Sequence, residues 1–384
     1  MKEWAPLAHL RVVDFTRLLP GDYATLLLAA MGADVIKIED VTTGDGVRSL
    51  PPFARGFSLG HEVLNRGKRS AQFDLKVDTD RELVLALIGA CDVVVDSFRP
   101  GVLDRLGVGD AVLAVANPQL VHVSLTAYGT GDLARMAGHD LNAQALAGLV
   151  SQYPVSEGEL LPPALQVADL MAGQQVALAV VAAVEARSRT GAGRRIEISM
   201  VDAAYSMLGL AGIQSAAALL GGGPEPAPRQ MLSGALACYA IYECSDGRQV
   251  ALGALEPQFF ANFCTAIGQP EWASLQFDQE RQLELKAAIA AVVATRPQQH
   301  WVEVCTPADT CLSPVRTVAE ALAAGAETGV VAAAALDGEV TIPVVRPVPW
   351  STDGRDASRA PGLGADTEAV RTASAAGHWP VRGD

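Results

Sequence analysis

Four short stretches carry side chains that could hold an anion or move a proton. The first, Asn65-Arg66-Gly67-Lys68-Arg69, places three cations in four positions ahead of Ser70, within a chain that is otherwise acidic. Arg and Lys meet phosphate charge and the Gly lets backbone N–H groups approach, so the loop suits a phosphate group. A solvated turn accounts for the same residues. The second, Ser97-Phe98-Arg99-Pro100-Gly101, follows the apolar run DVVVD. An Arg at a strand's carboxyl end suits an anion or an adenine ring, whereas Pro-Gly also fits a plain helix start.

The third is Gly138-His139-Asp140. A histidine at a helix start feels the positive end of the dipole, which favours the neutral imidazole that a general base needs. His139 with Asp140 also reads as a capping pair. The fourth is a pair of acids in apolar sequence: Asp169 in QVADLMAG and Glu256 in GALEPQ. Apolar neighbours tend to desolvate a carboxyl, raise its pKa and make it a usable proton carrier. Each could instead cap the helix that follows it.

Positioning these residues requires an ordered scaffold, and the first two hundred residues supply the pattern of one. Apolar runs at 10–15, 34–38, 70–74, 92–96, 120–125 and 195–199 read as strands, and helical patterns at 23–31, 78–90, 141–150 and 170–186 lie between them. Buried strands separated by helices of this length predict parallel βαβ units and a doubly wound α/β sheet. The dinucleotide fingerprint G-x-G-x-x-G is absent after the first strand. Residues 239–244 and 249–252 flank Ser245-Asp246-Gly247-Arg248 as a hairpin, followed by a helical region to about 294. The expected organisation is a large α/β domain at 1–220, a smaller α+β domain at 221–325 entered through a Gly/Pro hinge, and a segment at 326–384 returning to the large domain.

The chain has 384 residues, 29 basic and 43 acidic, for a net charge of −14. That field repels polyanions, so nucleic acid and anionic membranes are not expected partners, and a small anion needs a local basic cluster. The uncharged stretch 203–224 is long enough to test as a membrane span. Its Ala, Gly, Ser and Gln content, ending in Gly-Gly-Gly-Pro, favours a buried helix and a hinge. Six cysteines without a C-x-x-C pair or metal-finger spacing read as reduced core residues in a cytoplasmic protein, and no metal site is expected. The first residues, MKEWAPLAHLRVVDF, lack the features of a secretion signal.

The stretches LRVVDFTRLLPGDYATLLLAAMGADVIKIE, LNRGKRS, DVVVDSFRPGVLDRLG, the GHD turn, VADLMAG, TGAGRRIEISMVDA and APGLGADTE occur together at compatible spacings. In these the chain resembles the family III CoA-transferases over nearly its whole length. The resemblance implies an interlocked homodimer that acts on CoA thioesters, with no permanently bound cofactor. His139, Asp169 and the Gly-Ala-Leu-Glu256-Pro-Gln-Phe stretch resemble the α-methylacyl-CoA racemase branch, whereas transferases of the family usually carry a glycine-rich loop in place of the Glu-Pro stretch. One departure stands out: Asp40-Val41 lies where the family commonly has Arg-Pro, whose Arg contacts the nucleotide part of CoA. Either Arg66, Lys68, Arg69 and Arg99 compensate or the preferred carrier is not ordinary CoA; the residues expected to bind CoA are Asn65, Arg66, Lys68, Arg69 and Arg99.

The activity this implies is inversion at the α-carbon of a 2-methylacyl-CoA by 1,1-proton transfer through an enolate. His139, supported by Glu256, serves one face and Asp169 the other. The alternative is CoA transfer between carboxylic acids, with Asp169 as nucleophile through an acyl anhydride and an aspartyl-CoA thioester.

Overall fold

In the computed structural model the described residues are 4–153, 160–222, 231–336, 340–351 and 358–382. The Gly/Pro hinge expected beyond residue 222 therefore lies, for the most part, outside the described residues. The chain divides into two compact units, one comprising 1–150, 162–208 and 322–384, the other 151–161 and 209–321.

The large unit is organised by six strands: β1 (Arg11–Phe15), β2 (Asp34–Glu39), β3 (Arg69–Gln72), β4 (Val93–Asp96), β5 (Val121–Thr126) and β6 (Arg194–Ser199). Their order in the sheet is 3-2-1-4-5-6, and every pairing is parallel. That is the doubly wound arrangement, with its topological switch between β1 and β4. Val12, Val13, Val93, Val94 and Val95 are all fully buried, as expected of central strands covered on both faces.

The covering helices are α1 (Leu18–Ala30), α2 (Asp78–Gly89), α3 (Asp140–Leu146), α4 (Val167–Thr190) and α5 (Met200–Tyr205). Helix α4 is long and apolar enough to cross a membrane. In this protein it is a core helix: Ala168, Ala172, Val176 and Val180 are fully buried. It approaches α1 closely at Gly173, where a Cβ would sit 2.8 Å from the Pro20 carbonyl oxygen. Only glycine fits there without moving backbone.

Strand β3 is a sheet edge, and the returning C-terminal segment covers it. Ser70 N–H donates to the Asp366 carboxylate at 2.9 Å, Asp366 N–H donates to the Ser70 carbonyl at 2.8 Å, and Gln72 N–H donates to Thr367 Oγ1 at 3.0 Å. The APGLGADTE motif is thereby explained as an edge cover that leads into a last helix, Thr367–Ala375.

The second unit contains α6 (Gly209–Ala217), β7 (Tyr239–Glu243), β8 (Gln249–Gly253), α7 (Pro257–Ala266) and β9 (Leu312–Pro314), among other helices. β8 is the central strand of an antiparallel sheet. Its core holds Phe260, Phe263, Ile289 and Trp301, and Trp301 Nε1 donates to the Val293 carbonyl at 2.8 Å. The stretch from 203, expected to form one buried helix, is instead broken. α5 ends at Tyr205, α6 starts at Gly209 with no buried residue, and Leu219 and Leu220 are 90% and 91% exposed. The segment is apolar, and among the described residues nothing buries this face.

Candidate functional site

The switch point between β1 and β4 brings two loops together at the carboxyl ends of the sheet. Arg17, just after β1, donates its backbone N–H to Ser97 Oγ at 2.9 Å, and its guanidinium lies 5.2 Å from the Phe98 ring centroid. Leu18, the next residue, has φ of +62°, a strained conformation for a bulky side chain at the crevice where such sheets bind ligands. Beside it is a cavity of about 270 Å³ lined in part by Asp96, Phe98, Arg99, Ser124, Thr126 and Arg195. Arg99 is thus placed at the crevice. Arg17 was not singled out from sequence, because its importance depends on which strand neighbours β1.

Asp96 anchors the inner wall of that cavity. It accepts from His122 Nε2 at 2.8 Å, from Ser124 Oγ and from Phe98 N–H at 2.9 Å, while His122 Nδ1 faces Asp110 at 3.1 Å. The serine, histidine and aspartate are adjacent, but Ser124 donates to the carboxylate and not to the imidazole. The imidazole is therefore not aimed at the hydroxyl, and the group supports the wall without the serine–histidine–aspartate order of a nucleophilic triad.

The 65–69 loop is corrected by the structure: its side chains point into the protein. Lys68 is fully buried, with Nζ donating to the Asp22 carbonyl at 3.0 Å and to Asn65 Oδ1 at 2.8 Å, and with Asp14 Oδ2 3.5 Å away. Asn65 Nδ2 donates to the Asp22 carboxylate at 2.9 Å, and Lys37 Nζ donates to the same carboxylate at 2.6 Å. Arg66 is spent on the carbonyls of Val63 and Val345, and Arg69 on Asp34 and the Pro380 carbonyl. Burial pushes Asp22 up to about 6 against the opposing pull of Lys37 and Lys68, and it pushes Lys68 down. Lys68 balances the buried acids, Arg69 pairs with Asp34 and Arg66 is tied to backbone carbonyls, so a role as a solvent-facing phosphate clamp is not available to them without breaking these contacts. The Asp40 carboxylate, at the end of β2, is exposed and held by Thr42 Oγ1 and by the N–H groups of Thr42 and Thr43, which lower it to about 2.

The acid–base candidates divide between the two units. His139 occupies the N-cap position of α3 and is exposed; its N–H donates to Asn142 Oδ1 at 3.1 Å. The turn before it needs Gly138, where a Cβ would lie 2.3 Å from the Tyr128 hydroxyl oxygen. Asp169 lies inside the first turn of α4, which starts at Val167, so it is not the cap that sequence allowed. It is largely buried, at 9% exposure, and no hydrogen bond to its carboxyl is found among the described residues. Burial, reinforced by Asp140, pushes it up to about 7. Asp140 was read only as a neighbour of His139. In fact its Oδ1 accepts the Asp169 N–H at 3.1 Å and its Oδ2 accepts from Gln144 Nε2 at 2.6 Å. Glu256 belongs to the second unit, exposed at the N-cap position of α7, where its side chain makes no capping bond.

A doubly wound sheet with a cationic, aromatic crevice at its switch point and a largely buried acid of raised pKa at a helix start defines an α/β protein with a ligand crevice and a candidate proton carrier. The chain belongs to CoA-transferase family III, whose family model matches residues 7–367. It is similar to acetyl-CoA:oxalate CoA-transferase of Acetobacter aceti, 32% identical over 83% of each chain. It is equally similar to α-methylacyl-CoA racemase of Mus musculus, 32% identical over 82% of this chain and 79% of that one. Among solved structures, a CAIB/BAIF family protein from Brucella suis superposes with a TM-score of 0.81 at 27% identity, covering 97% of this chain and 100% of that one.

Proposed function

We propose that the protein is an acyl-CoA racemase or epimerase that inverts the α-carbon of a 2-methylacyl-CoA through an enolate. The observation that supports this reading is the place of Asp169, largely buried in the first turn of α4, with burial and Asp140 both pushing its carboxyl up to about 7. A carboxyl in that range can give or take a proton near neutral pH, which proton transfer at the α-carbon needs in both directions. One group takes the α-proton from the thioester, and the electron pair moves onto the carbonyl oxygen. The opposed group then returns a proton to the other face of the same carbon. Asp169 and the His139 imidazole are the pair we assign, each acting as base in one direction and as acid in the other. The first-turn N–H groups of α3 and α4 are candidate donors for the enolate oxygen.

We assign the nucleotide end of CoA to the switch-point crevice, held by Arg17 and Arg99. Both cations are exposed and take no part in the internal contacts that hold Lys68 and Arg69, and Arg17 acts against the charge of Asp40. We extend the reading to a homodimer, in which Glu256 of one chain supports His139 of the other. The uncovered apolar residues of α6 and of Leu219-Leu220 are in keeping with a second chain there. Six unpaired cysteines are in keeping with a reducing, cytoplasmic setting.

Incubation with a 2-methylacyl-CoA in deuterated water tests the activity. Exchange at the α-carbon with loss of stereochemical purity, abolished by Asp169→Ala and reduced by His139→Ala, is the expected result. The transferase reading is favoured by the equal identity to the Acetobacter aceti enzyme. It predicts no exchange, CoA-dependent transfer to a free carboxylate, and a hydroxylamine-trapped adduct at Asp169.

A further inference from the structure

Asp140 and Asp169 are two acids joined by one hydrogen bond, yet the bond does not run between their carboxyls. The Asp169 backbone N–H donates to Asp140 Oδ1 at 3.1 Å, and Gln144 Nε2 donates to Asp140 Oδ2 at 2.6 Å while also donating to the Leu165 carbonyl at 3.1 Å. Both Asp140 oxygens thus accept from donors. Asp169 is largely buried, and no hydrogen bond to its carboxyl is found among the described residues. The asymmetry is geometric: one acid is solvated by protein donors and the other is left beside it without any.

We propose that Asp140 is a positioning residue for Asp169. It fixes the first turn of α4 through the Asp169 N–H and sets a fixed negative charge against the Asp169 carboxyl, so that Asp169 is the acid of the pair that carries the exchangeable proton. This rests on reading Asp169 as a proton carrier, and it adds the device that keeps the proton there.

The groups on the packed elements leave Asp140 as the source of this effect. From α3 come Asp140 and the exposed His139. From α1 come Tyr23, which lies against Gly173, and Asp22, whose carboxylate is turned into Lys37 and Asn65. From α5 come Asp202, beside Gly129, and Tyr205, whose hydroxyl donates to the Leu146 carbonyl at 3.2 Å. Asp140 is the one charged group among these that acts on Asp169, in the same direction as burial.

The arrangement also explains why the acid must stand next to His139. One turn then sets the imidazole on α3 and, through a single carboxylate, the start of α4. Any shift of α3 would carry both proton-handling groups together.

The test is a carboxyl titration of the full-length protein labelled with [4-¹³C]aspartate, with Asp169→Asn used to assign the resonance. In the wild type the Asp169 signal should titrate near pH 7. Asp140→Asn keeps an oxygen for the Asp169 N–H and removes the charge; Gln144 can meet the new NH2 only by turning its amide, which gives up its bond to the Leu165 carbonyl, so Asp140→Ser is measured beside it. In either variant the Asp169 midpoint should fall by about one pH unit or more, a roughly tenfold change in the protonated-to-ionised ratio at pH 7. Asp140→Glu, which keeps the charge, should leave the midpoint raised. Should Asp140→Asn fail to fold, Asp140→Ser retains an oxygen acceptor without charge and is read the same way. An Asp169 midpoint unchanged in the uncharged variants, or lowered equally by Asp140→Glu, overturns the proposal.

The titration requires no turnover, so it is independent of α-proton exchange. Absence of exchange with a 2-methylacyl-CoA, alongside the expected titration, removes the racemase reading and leaves the role of Asp140 standing. Exchange alongside an unresponsive titration does the reverse.

Discussion

The Arg17 guanidinium lies over the Phe98 ring, 5.2 Å from its centroid, while the Arg17 N–H is tied to Ser97 Oγ at 2.9 Å. The loop after β1 and the loop after β4 are therefore one structure, closed across the switch point. An aromatic face with cations beside it suits an adenine ring and its phosphates. Arg17→Ala and Arg99→Ala should each weaken CoA binding by about 1–2 kcal/mol, roughly five- to thirtyfold in Kd. Titration calorimetry with CoA measures this, and the melting temperature should barely move because neither cation joins the buried cluster. Unchanged affinity in both variants would remove the crevice from the binding site.

Lys68 should behave in the opposite way. It is one of two lysines among Asp14, Asp22 and Asp45 at essentially zero exposure. Removing one partner of a buried ion cluster leaves uncompensated charge, at a cost of about 3–5 kcal/mol. Lys68→Met should therefore lose most of that amount in urea unfolding, with CoA affinity preserved in whatever protein remains folded. A stable Lys68→Met protein that binds CoA poorly would restore the loop as a phosphate site.

Asp169 carries a stability consequence of its own. Its pKa is raised in the folded state to about 7 from an ordinary value near 3.8. The unfolded chain releases the proton first as pH rises. Its contribution to stability is thus complete below the ordinary value, falls as pH rises between the two, and stays lost above about 7. Asp169→Asn removes the titration and so should be more stable than wild type at pH 8 by roughly 2–4 kcal/mol, with the gap closing toward pH 4. Denaturant melts at pH 4.5, 6 and 8 would show it. A gap that is constant with pH would mean that the acid is not desolvated.

Much of this architecture was legible in the chain, and the parts that were not share a cause. The six strands could be placed because parallel strands buried on both faces leave continuous apolar runs such as Val93-Val94-Val95. Asp169 could be singled out because its neighbours are apolar. Lys68 was misjudged because its partners are distant: the Asp22 carbonyl that it meets is 46 positions away. Arg17 meets Ser97 across 80 positions and Asp140 meets Asp169 across 29. A charged side chain in sequence looks the same whether it faces solvent or a buried acid, and only strand order tells which. The break after Tyr205 was hidden for a different reason, since an apolar helix left exposed carries the same composition as one facing its own core.

Glu256 offers the most direct test of the dimeric site. It stands exposed at the N-cap position ahead of Pro257, and its carboxylate makes no capping bond. An acid that could satisfy an orphan N–H but does not is available for another partner. If that partner is His139 of a second chain, each site draws on two chains, and two defects placed in different chains can coexist with one intact site. Asp169 stays wild type throughout. His139→Ala and Glu256→Gln homodimers should each be strongly impaired in α-proton exchange. Co-expressed, they should form heterodimers in which one site carries both defects and the other carries neither. With random pairing, half the dimers are mixed and half of their sites are whole, so activity should recover to about a quarter of wild type. Tandem affinity tags that isolate the heterodimer should raise that to about half. Co-expressed protein no more active than the two homodimers measured separately would place Glu256 and His139 in the same chain's site, or remove Glu256 from the chemistry altogether.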